Sequence, residues 1–184
     1  MTKAITFAVL LFIWSVIAPR WSRAQELEAI LNPTQGNMVM GTVTFTESNG
    51  KVHVVANVTG LKAGKHGFHI HEKGDCSAPD AASAGGHFNP TTKAHGAPEA
   101  AEHHIGDMGN LEADSNGQAK LDRTFDSLTL ASGPNSILGK AVVVHGGEDD
   151  LKSQPAGNAG PRIACGVIQE KKDDSNDMMD HMNM

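Results

Sequence analysis

Residues 39–58 read VMGTVTFTESNGKVHVVANV. Apolar and polar residues alternate on both sides of Asn49-Gly50, which is the two-residue period of a half-buried strand. Asn-Gly between two such runs is a strong signal for a β-hairpin. The stretch therefore predicts two antiparallel strands joined by a tight turn.

Further extended runs are predicted on the C-terminal side of this hairpin, at residues 66–71, 119–124, 127–130, 137–145 and 162–168. Two long loops, 72–116 and 146–161, separate them, and helix signals are few. This pattern favours an all-β fold, either an antiparallel sandwich or a barrel. A structureless loop of that length is uncommon unless a metal or a disulfide holds it.

The two ends of the chain differ in composition from this central part. Residues 1–24 are typical of a signal peptide, with Lys3, the apolar stretch 4–18 and a cut after Ala24. An N-terminal membrane anchor is the alternative, although a membrane span needs about 20 apolar residues. We expect a weakly structured N-terminal lead-in at 25–37, one folded domain at 38–169, and a disordered, Met-, His- and Asp-rich tail at 170–184.

The formal net charge of −6 becomes −9 without Lys3, Arg20 and Arg23, because the leader contains no acidic residue. Such an acidic surface argues against nucleic acid as a partner. We also expect no stable membrane association once the leader is removed. An anionic substrate would need a locally positive entrance.

Cys76 and Cys165 are the only cysteines. In an exported protein such a pair favours a disulfide. A two-cysteine zinc site is the competing interpretation, but the chain has no CxxC spacing. On the chain-entropy model, closing so long a loop stabilises a fold by about 4–5 kcal/mol.

Histidines concentrate in GFHIHEKGDCSAPDAASAGGHFNPTTKAHGAPEAAEHHIGD, residues 67–107, and another ends the distant run AVVVH at His145. His69 and His71 are two apart on a predicted strand, so both side chains leave the same face and one metal can take both. Imidazoles repeated in this way, without further cysteines nearby, indicate a copper or zinc site.

A second set follows inside the long loop: His87, His95, His104 and Asp107. Three nitrogens and one carboxylate form a closed tetrahedral set that suits zinc. Such a site would order the loop around the ion. A flexible histidine-rich loop that binds metals loosely is the alternative.

With these residues in view, the chain resembles the copper/zinc superoxide dismutase family. GFHIHEKGDC, SAGGHFNP, HHIGDMGN, VVVH and GNAGPRIACGVI are similar to that family's signature segments, in its order, over residues 41–168. The resemblance implies a Greek-key antiparallel β-sandwich or flattened barrel of about eight strands. KSQPAGNAGPRIACGVI and the close HEKGDC spacing resemble the bacterial exported branch, which implies a periplasmic location.

The resemblance also implies a role for each matching position. Copper would be held by His69, His71, His87 and His145, and zinc by His87, His95, His104 and Asp107, with His87 shared. Asp149 would accept hydrogen bonds from one histidine of each set, and His103 would face solvent. Arg162 would guide the anion, and Lys65, Lys73 and Lys152 could add positive potential.

The implied activity is the dismutation of superoxide to dioxygen and hydrogen peroxide. Copper would cycle between Cu(II) and Cu(I), because zinc does not change oxidation state. In the resembled family the ring corresponding to His87 leaves copper on reduction and carries a proton, so His87 and Arg162 are the predicted catalytic residues.

Two other classes stay open at this point: a non-enzymatic copper-binding or copper-delivery protein of the same fold, and a zinc hydrolase. The hydrolase would need an open coordination position, which the set around Asp107 does not offer. A homodimer is also open. Thioether and imidazole groups of the tail favour Cu(I) and could capture copper, unless the tail only solubilises the chain; these groups belong to Met178, Met179, His181, Met182 and Met184.

Overall fold

The structure is a computed structural model that describes residues 25–172. In that part, the strands are β1 (Glu26–Pro33), β2 (Met40–Ser48), β3 (Lys51–Thr59), β4 (Gly64–His71), β5 (Asp107–Ala113), β6 (Ala119–Phe125), β7 (Ala141–His145), β8 (Arg162–Val167) and β9 (Gln169–Glu170). A single turn of 3-10 helix spans Ala82–Ala84. Between residues 25 and 172, no helix is long and apolar enough to cross a membrane. The predicted signal peptide and residues 173–184 of the predicted tail lie outside the described residues.

The strands form one antiparallel sheet that closes on itself. Their order is β2-β3-β6-β5-β4-β7-β8-β1, and β1 pairs with β2 to complete an eight-stranded barrel. The two residues of β9 pair with the start of β1. Because β4, β5 and β6 are consecutive neighbours while β3 lies beside β6, the arrangement is a Greek key. The predicted fold class is confirmed.

The predicted hairpin is the β2–β3 pair. Asn49 and Gly50 both have positive φ, 53° and 72°, as a type I′ turn requires. Ser48 pairs with Lys51 directly across this turn. The alternating apolar residues of both strands, such as Phe45 and Val54, are fully buried in the barrel core.

The prediction of a weakly structured lead-in at 25–37 is wrong for most of its length. β1 pairs with β2 from Glu26 to Leu31 and with β8 at its end. Leu27, Ala29 and Leu31 are buried, whereas Ile30 is 43% exposed. An apolar residue on the outer face hides the alternation, which is why the sequence pattern did not reveal this strand.

The predicted loop 72–116 was too long, because β5 occupies its last part. This strand begins with Asp107 and contains Gly109 and Asn110, so polar and small residues interrupt its apolar pattern. Leu111 and Ala113 nevertheless face the core. Sequence periodicity missed the strand because Asp107 and Asn110 make polar contacts with other side chains and backbone groups instead of continuing an apolar alternation.

Residues 127–130 do not form the predicted strand. Thr129 makes only an isolated bridge with Ser136, and the backbone N–H of Leu130 donates to Glu47 Oε2 at 2.6 Å. The predicted strand at 137–145 is shortened to β7, because Lys140 N–H closes a turn onto Ile137 O. Buried leucines at 128 and 130 produced the misleading apolar pattern.

β4 and β7 are neighbours in the barrel wall and are buried on both faces. Phe68 and Ile70 point into the core, while His69 and His71 alternate with them and are buried on the outer side. The loops 72–106 and 146–161 therefore cover the outer face of the wall. The predicted disulfide Cys76–Cys165 is confirmed and pins the first loop to β8.

Candidate metal centre

Four buried histidines come together on the outer face of β4 and β7. We call them the four-histidine group: His69, His71, His87 and His145, with ligand atoms within 4.8 Å of one another. β4 supplies two of them and the end of β7 supplies one, because the two strands pair side by side. His87 joins them from the long loop through a bridge between its backbone and that of His71.

A second buried cluster lies in the loop beside the first. We call it the mixed group: His87, His95, His104 and Asp107, again with ligand atoms within 4.8 Å. Asp107 N–H bonds to His104 O at 3.1 Å, a turn that places these two side chains together. Asp107 Oδ1 lies 2.8 Å from His87 Nδ1 and 3.1 Å from His95 Nδ1.

His87 belongs to both groups through opposite edges of one ring. Its Nδ1 faces Asp107 in the mixed group. Its Nε2 is buried and has no hydrogen-bond partner, and it faces the four-histidine group. The ring therefore separates the two clusters while presenting one nitrogen to each.

The unpartnered nitrogens point to what the groups bind. In the described chain, five buried side-chain nitrogens lack a partner: His69 Nδ1, His71 Nε2, His87 Nε2, His145 Nε2 and His95 Nδ1. Leaving a buried polar atom unsatisfied costs about 1–3 kcal/mol. Metal coordination would satisfy all five atoms, so the donor set fits one metal in each group.

The opposite nitrogen of each of these rings is held by a defined acceptor. His69 Nε2 donates to Asp149 Oδ2 at 2.7 Å, and His95 Nε2 donates to Asp149 Oδ1 at 2.9 Å. His71 Nδ1 donates to Gly85 O and His145 Nδ1 to Gly160 O. Such outer partners set the tautomer and orientation of a metal-binding ring.

Asp149 links a histidine of each group, and its own position is tightly determined. Its backbone N–H and C=O both bond to the side-chain amide of Asn110, at 2.8 and 2.9 Å. A Cβ on Gly157, where φ is +65°, would lie 1.8 Å from Asp149 Oδ1. Both neighbours lie in the quoted segments HHIGDMGN and GNAGPRIACGVI, but sequence reasoning gave neither a role, because a local segment does not show which distant carboxylate it contacts.

Burial sets the charge state of the four-histidine group. It lowers the pKa of His71 to about 2, helped by the charge of His87, and the pKa of His145 to about 3, helped by that of His69. Burial also lowers the pKa of His87 to about 4, although Asp107 opposes the shift. The three rings are therefore neutral near pH 7 and can donate lone pairs to a metal.

The mixed group has the opposite electrostatic character. Burial lowers the pKa of His95, but the carboxylates of Asp107 and Asp149 outweigh it and raise that pKa to about 9. Burial would raise the pKa of Asp107, yet hydrogen bonds with His104, His87 and His95 bring it far below its ordinary value. A metal bound here would replace the proton on His95, as metal binding at histidine generally does.

Arg162 lies beside the four-histidine group at the start of β8. Its guanidinium donates to Ala81 O at 2.6 Å and to Gly85 O at 2.5 Å. Gly85 O also accepts the hydrogen bond of His71. The positive charge of Arg162 contributes to the lowered pKa values of His71 and His145, so the cation acts on the group electrostatically.

The remaining predicted residues lie at the edge of the site. Lys65 Nζ pairs with Glu148 at 3.0 Å, which reduces its contribution to a positive entrance. Lys73 and Lys152 are exposed, and their contribution stays a prediction. His103 belongs to neither group; its Nδ1 donates to His104 O, and the residue is half-buried.

The part of the chain that builds this centre is similar to known proteins. The profile of the family described as Copper/zinc superoxide dismutase (SODC) matches residues 39–168. A Caenorhabditis elegans protein named Extracellular superoxide dismutase [Cu-Zn] is 46% identical over 149 residues, 78% of this chain and 65% of the relative. A Drosophila melanogaster protein of the same name is 43% identical over 174 residues, 89% of this chain and 95% of the relative.

A solved structure is similar as well. The crystal structure of the clock protein EA4 superposes with a TM-score of 0.74 at 41% sequence identity, covering 84% of this chain and 100% of that chain. The likeness therefore extends over most of this chain and all of the solved one.

Proposed function

This chain belongs to the copper/zinc superoxide dismutase family and catalyses the dismutation of superoxide with copper and zinc as cofactors, and on this premise we propose how its residues share the work. The four-histidine group holds copper and the mixed group holds zinc. His87 is a ligand in both. The observation that carries this assignment is the single buried ring with one nitrogen toward each cluster.

Bound copper would supply one-electron chemistry between Cu(II) and Cu(I), while zinc, which has no redox chemistry, would hold the loop. His87 Nε2 takes up and returns one of the two protons needed to form hydrogen peroxide, and solvent supplies the other. Its buried position without a protein hydrogen-bond partner supports this role. Asp149 keeps His69 and His95 oriented by accepting one hydrogen bond from each ring.

Metal analysis and a superoxide assay test the ligand assignment. Wild-type protein should hold one copper and one zinc per chain. His145→Ala should lose copper and activity but keep zinc, because His145 is absent from the mixed group. His53→Ala is the control, since His53 is exposed and pairs with Asp122. Full activity in His145→Ala would show that the assignment is wrong.

We propose that Arg162 attracts the superoxide anion to the copper pocket. It is partly exposed and is positioned by two carbonyl groups of the disulfide-pinned loop. Arg162→Gln should lower kcat/KM about tenfold at low ionic strength, since local positive charge raises encounter rates by that order or more. Arg123→Gln removes a similar charge that instead pairs with Glu99 and should have little effect. Unchanged kcat/KM in Arg162→Gln, with copper content intact, would exclude the guiding role.

We propose that the chain is exported and that residues 1–24 are removed. The two animal relatives are named extracellular, and a disulfide is typical of an oxidising compartment. The mature protein would then comprise the barrel, now including β1, and the tail. N-terminal sequencing of secreted protein should begin at Gln25. The periplasmic location, which follows from likeness to the bacterial branch, stays a prediction.

We propose that the methionine-rich tail captures copper. The support is chemical, because thioethers and imidazole favour Cu(I). The proposed copper-binding residues lie in 173–184, outside the described residues, whereas Glu170 at the start of the predicted tail belongs to β9. Truncation after Lys172 should lower copper occupancy when copper is limiting. Replacing the four tail methionines with leucine keeps the length and should have the same effect. Unchanged occupancy in both variants would leave the tail without this role.

A homodimer stays a prediction that sedimentation equilibrium can test. A groove of about 430 Å³ beside the disulfide is bordered by Ile30, an apolar side chain that is 43% exposed. Ile30→Glu should dissociate a dimer formed there. Leu138→Glu, at a residue that is 41% exposed and does not line this groove, should not.

A further inference from the structure

One glutamine in the loop 146–161 bonds to both backbone groups of His95. The His95 N–H donates to Gln154 Oε1 at 2.8 Å, and Gln154 Nε2 donates to His95 O at 2.9 Å. Gln154 Nε2 also donates to Lys152 O at 3.0 Å. Because one side of the amide must accept and the other must donate, its orientation is unambiguous.

The ring of His95 is held from the same loop. Asp149 Oδ1 accepts its Nε2–H at 2.9 Å, and the free Nδ1 lies 3.1 Å from Asp107 Oδ1 in the mixed group. Two residues of one loop therefore hold both the backbone and the ring of a residue that belongs to the other loop.

Gln154 is itself supported by a compact turn. Asp150 Oδ1 accepts the N–H groups of Lys152 and Ser153, and Asp150 Oδ2 accepts the Ser153 hydroxyl. The backbone of Gly157 bonds to both Ser153 O and Asp150 N. The turn fixes the backbone of Gln154. The two hydrogen bonds from its side chain therefore also fix the backbone of His95.

We propose that Gln154 is a positioning residue for the zinc site: it places His95 so that Nδ1 points at the metal. The inference rests on the proposed assignment of zinc to the mixed group. Removing both bonds leaves His95 tethered to the loop 146–161 through its ring alone, and zinc escapes faster. Partners outside the ligand shell typically change metal affinity by about 10–100-fold.

The test measures zinc release into a chromogenic chelator and the visible spectrum of the protein with Co(II) in place of zinc. Gln154→Leu removes both bonds at similar volume and should release zinc about tenfold faster, with a changed Co(II) spectrum. Gln154→Glu keeps the acceptor for His95 N–H but loses the donor, so its release rate should be intermediate. Gln118→Leu, at an exposed glutamine between β5 and β6, should match wild type.

Zinc release from Gln154→Leu at the wild-type rate, with an unchanged Co(II) spectrum, would overturn the inference. The positioning role is also wrong if the variant only lowers the melting temperature of the metal-free protein. Failure of the proposed function is separate: it would appear as a Co(II) spectrum that His95→Ala does not alter.

Discussion

Replacing Asp149 with asparagine changes one buried atom of the carboxylate that joins the two groups. The residue is 1% exposed, and its carboxylate accepts hydrogen bonds from His69 Nε2 at 2.7 Å and from His95 Nε2 at 2.9 Å. An amide offers only one acceptor oxygen. One of the two rings must therefore face an N–H donor, and the other keeps a neutral acceptor in place of a charged one.

The magnitude follows from those two bonds. A hydrogen bond to a charged group contributes about 1.5–3 kcal/mol, and losing an outer partner of a metal-binding histidine costs about 10–100-fold in affinity. The two estimates agree, because that range corresponds to about 1.4–2.7 kcal/mol. We expect Asp149→Asn to weaken the binding of both metals, and the affinity for at least one of them should fall by about 10–100-fold.

Competition with chelators of known affinity, followed by metal analysis, measures each dissociation constant separately. Asp126→Asn is the matched control, because its carboxylate is exposed, pairs with Lys51 and belongs to neither group. The melting temperature of each metal-free variant separates a loss of metal affinity from a loss of fold. If Asp149→Asn binds copper and zinc as tightly as wild type, the bridging role of this carboxylate is refuted.

The pKa values of His71, His87 and His145 are depressed from the ordinary value of 6.5 to about 2, 4 and 3 by burial, so the unfolded chain binds more protons below about pH 7. The metal-free protein should therefore lose stability steadily from pH 7 to pH 4. A melting temperature that does not change with pH over this range would contradict the burial argument. Replacing Cys76 and Cys165 with serine should lower the free energy of unfolding by up to about 4–5 kcal/mol; urea titration that detects no loss would show that the disulfide does not stabilise the fold.

Strands whose faces differ in polarity could be predicted from sequence. The β2–β3 hairpin follows from alternating residues and Asn49-Gly50, and both residues adopt the expected positive φ. β1 and β5 could not, because Ile30 faces outward and Asp107 opens its strand with a polar group that contacts histidines. Alternating polarity in a sequence reveals a strand when one face is buried and the other is polar. It fails where an exposed apolar residue, or a polar residue that contacts the site, breaks that alternation.

Local sequence also indicated the chemistry. His69 and His71 share a face because a strand alternates, and the histidine-rich stretch contains most members of both groups. The supporting contacts could not be predicted in this way. Asn110 and Gln154 bind backbone atoms of Asp149 and His95. Both lie in segments that carry the family resemblance, but a local segment does not show which distant backbone its amide meets.

The amino-acid order thus contained the strand periods, the turn residues and the types of donor atom, since these depend on neighbours only a few positions apart. Pairing of β4 with β7 brought His145 to His69, 76 positions earlier in the chain, and a bridge to His71 set the ring of His87 between two clusters. Those placements depend on strand pairing and on loops held by side chains from other segments. Contacts between distant residues arise from packing the whole chain, so no local stretch encodes them.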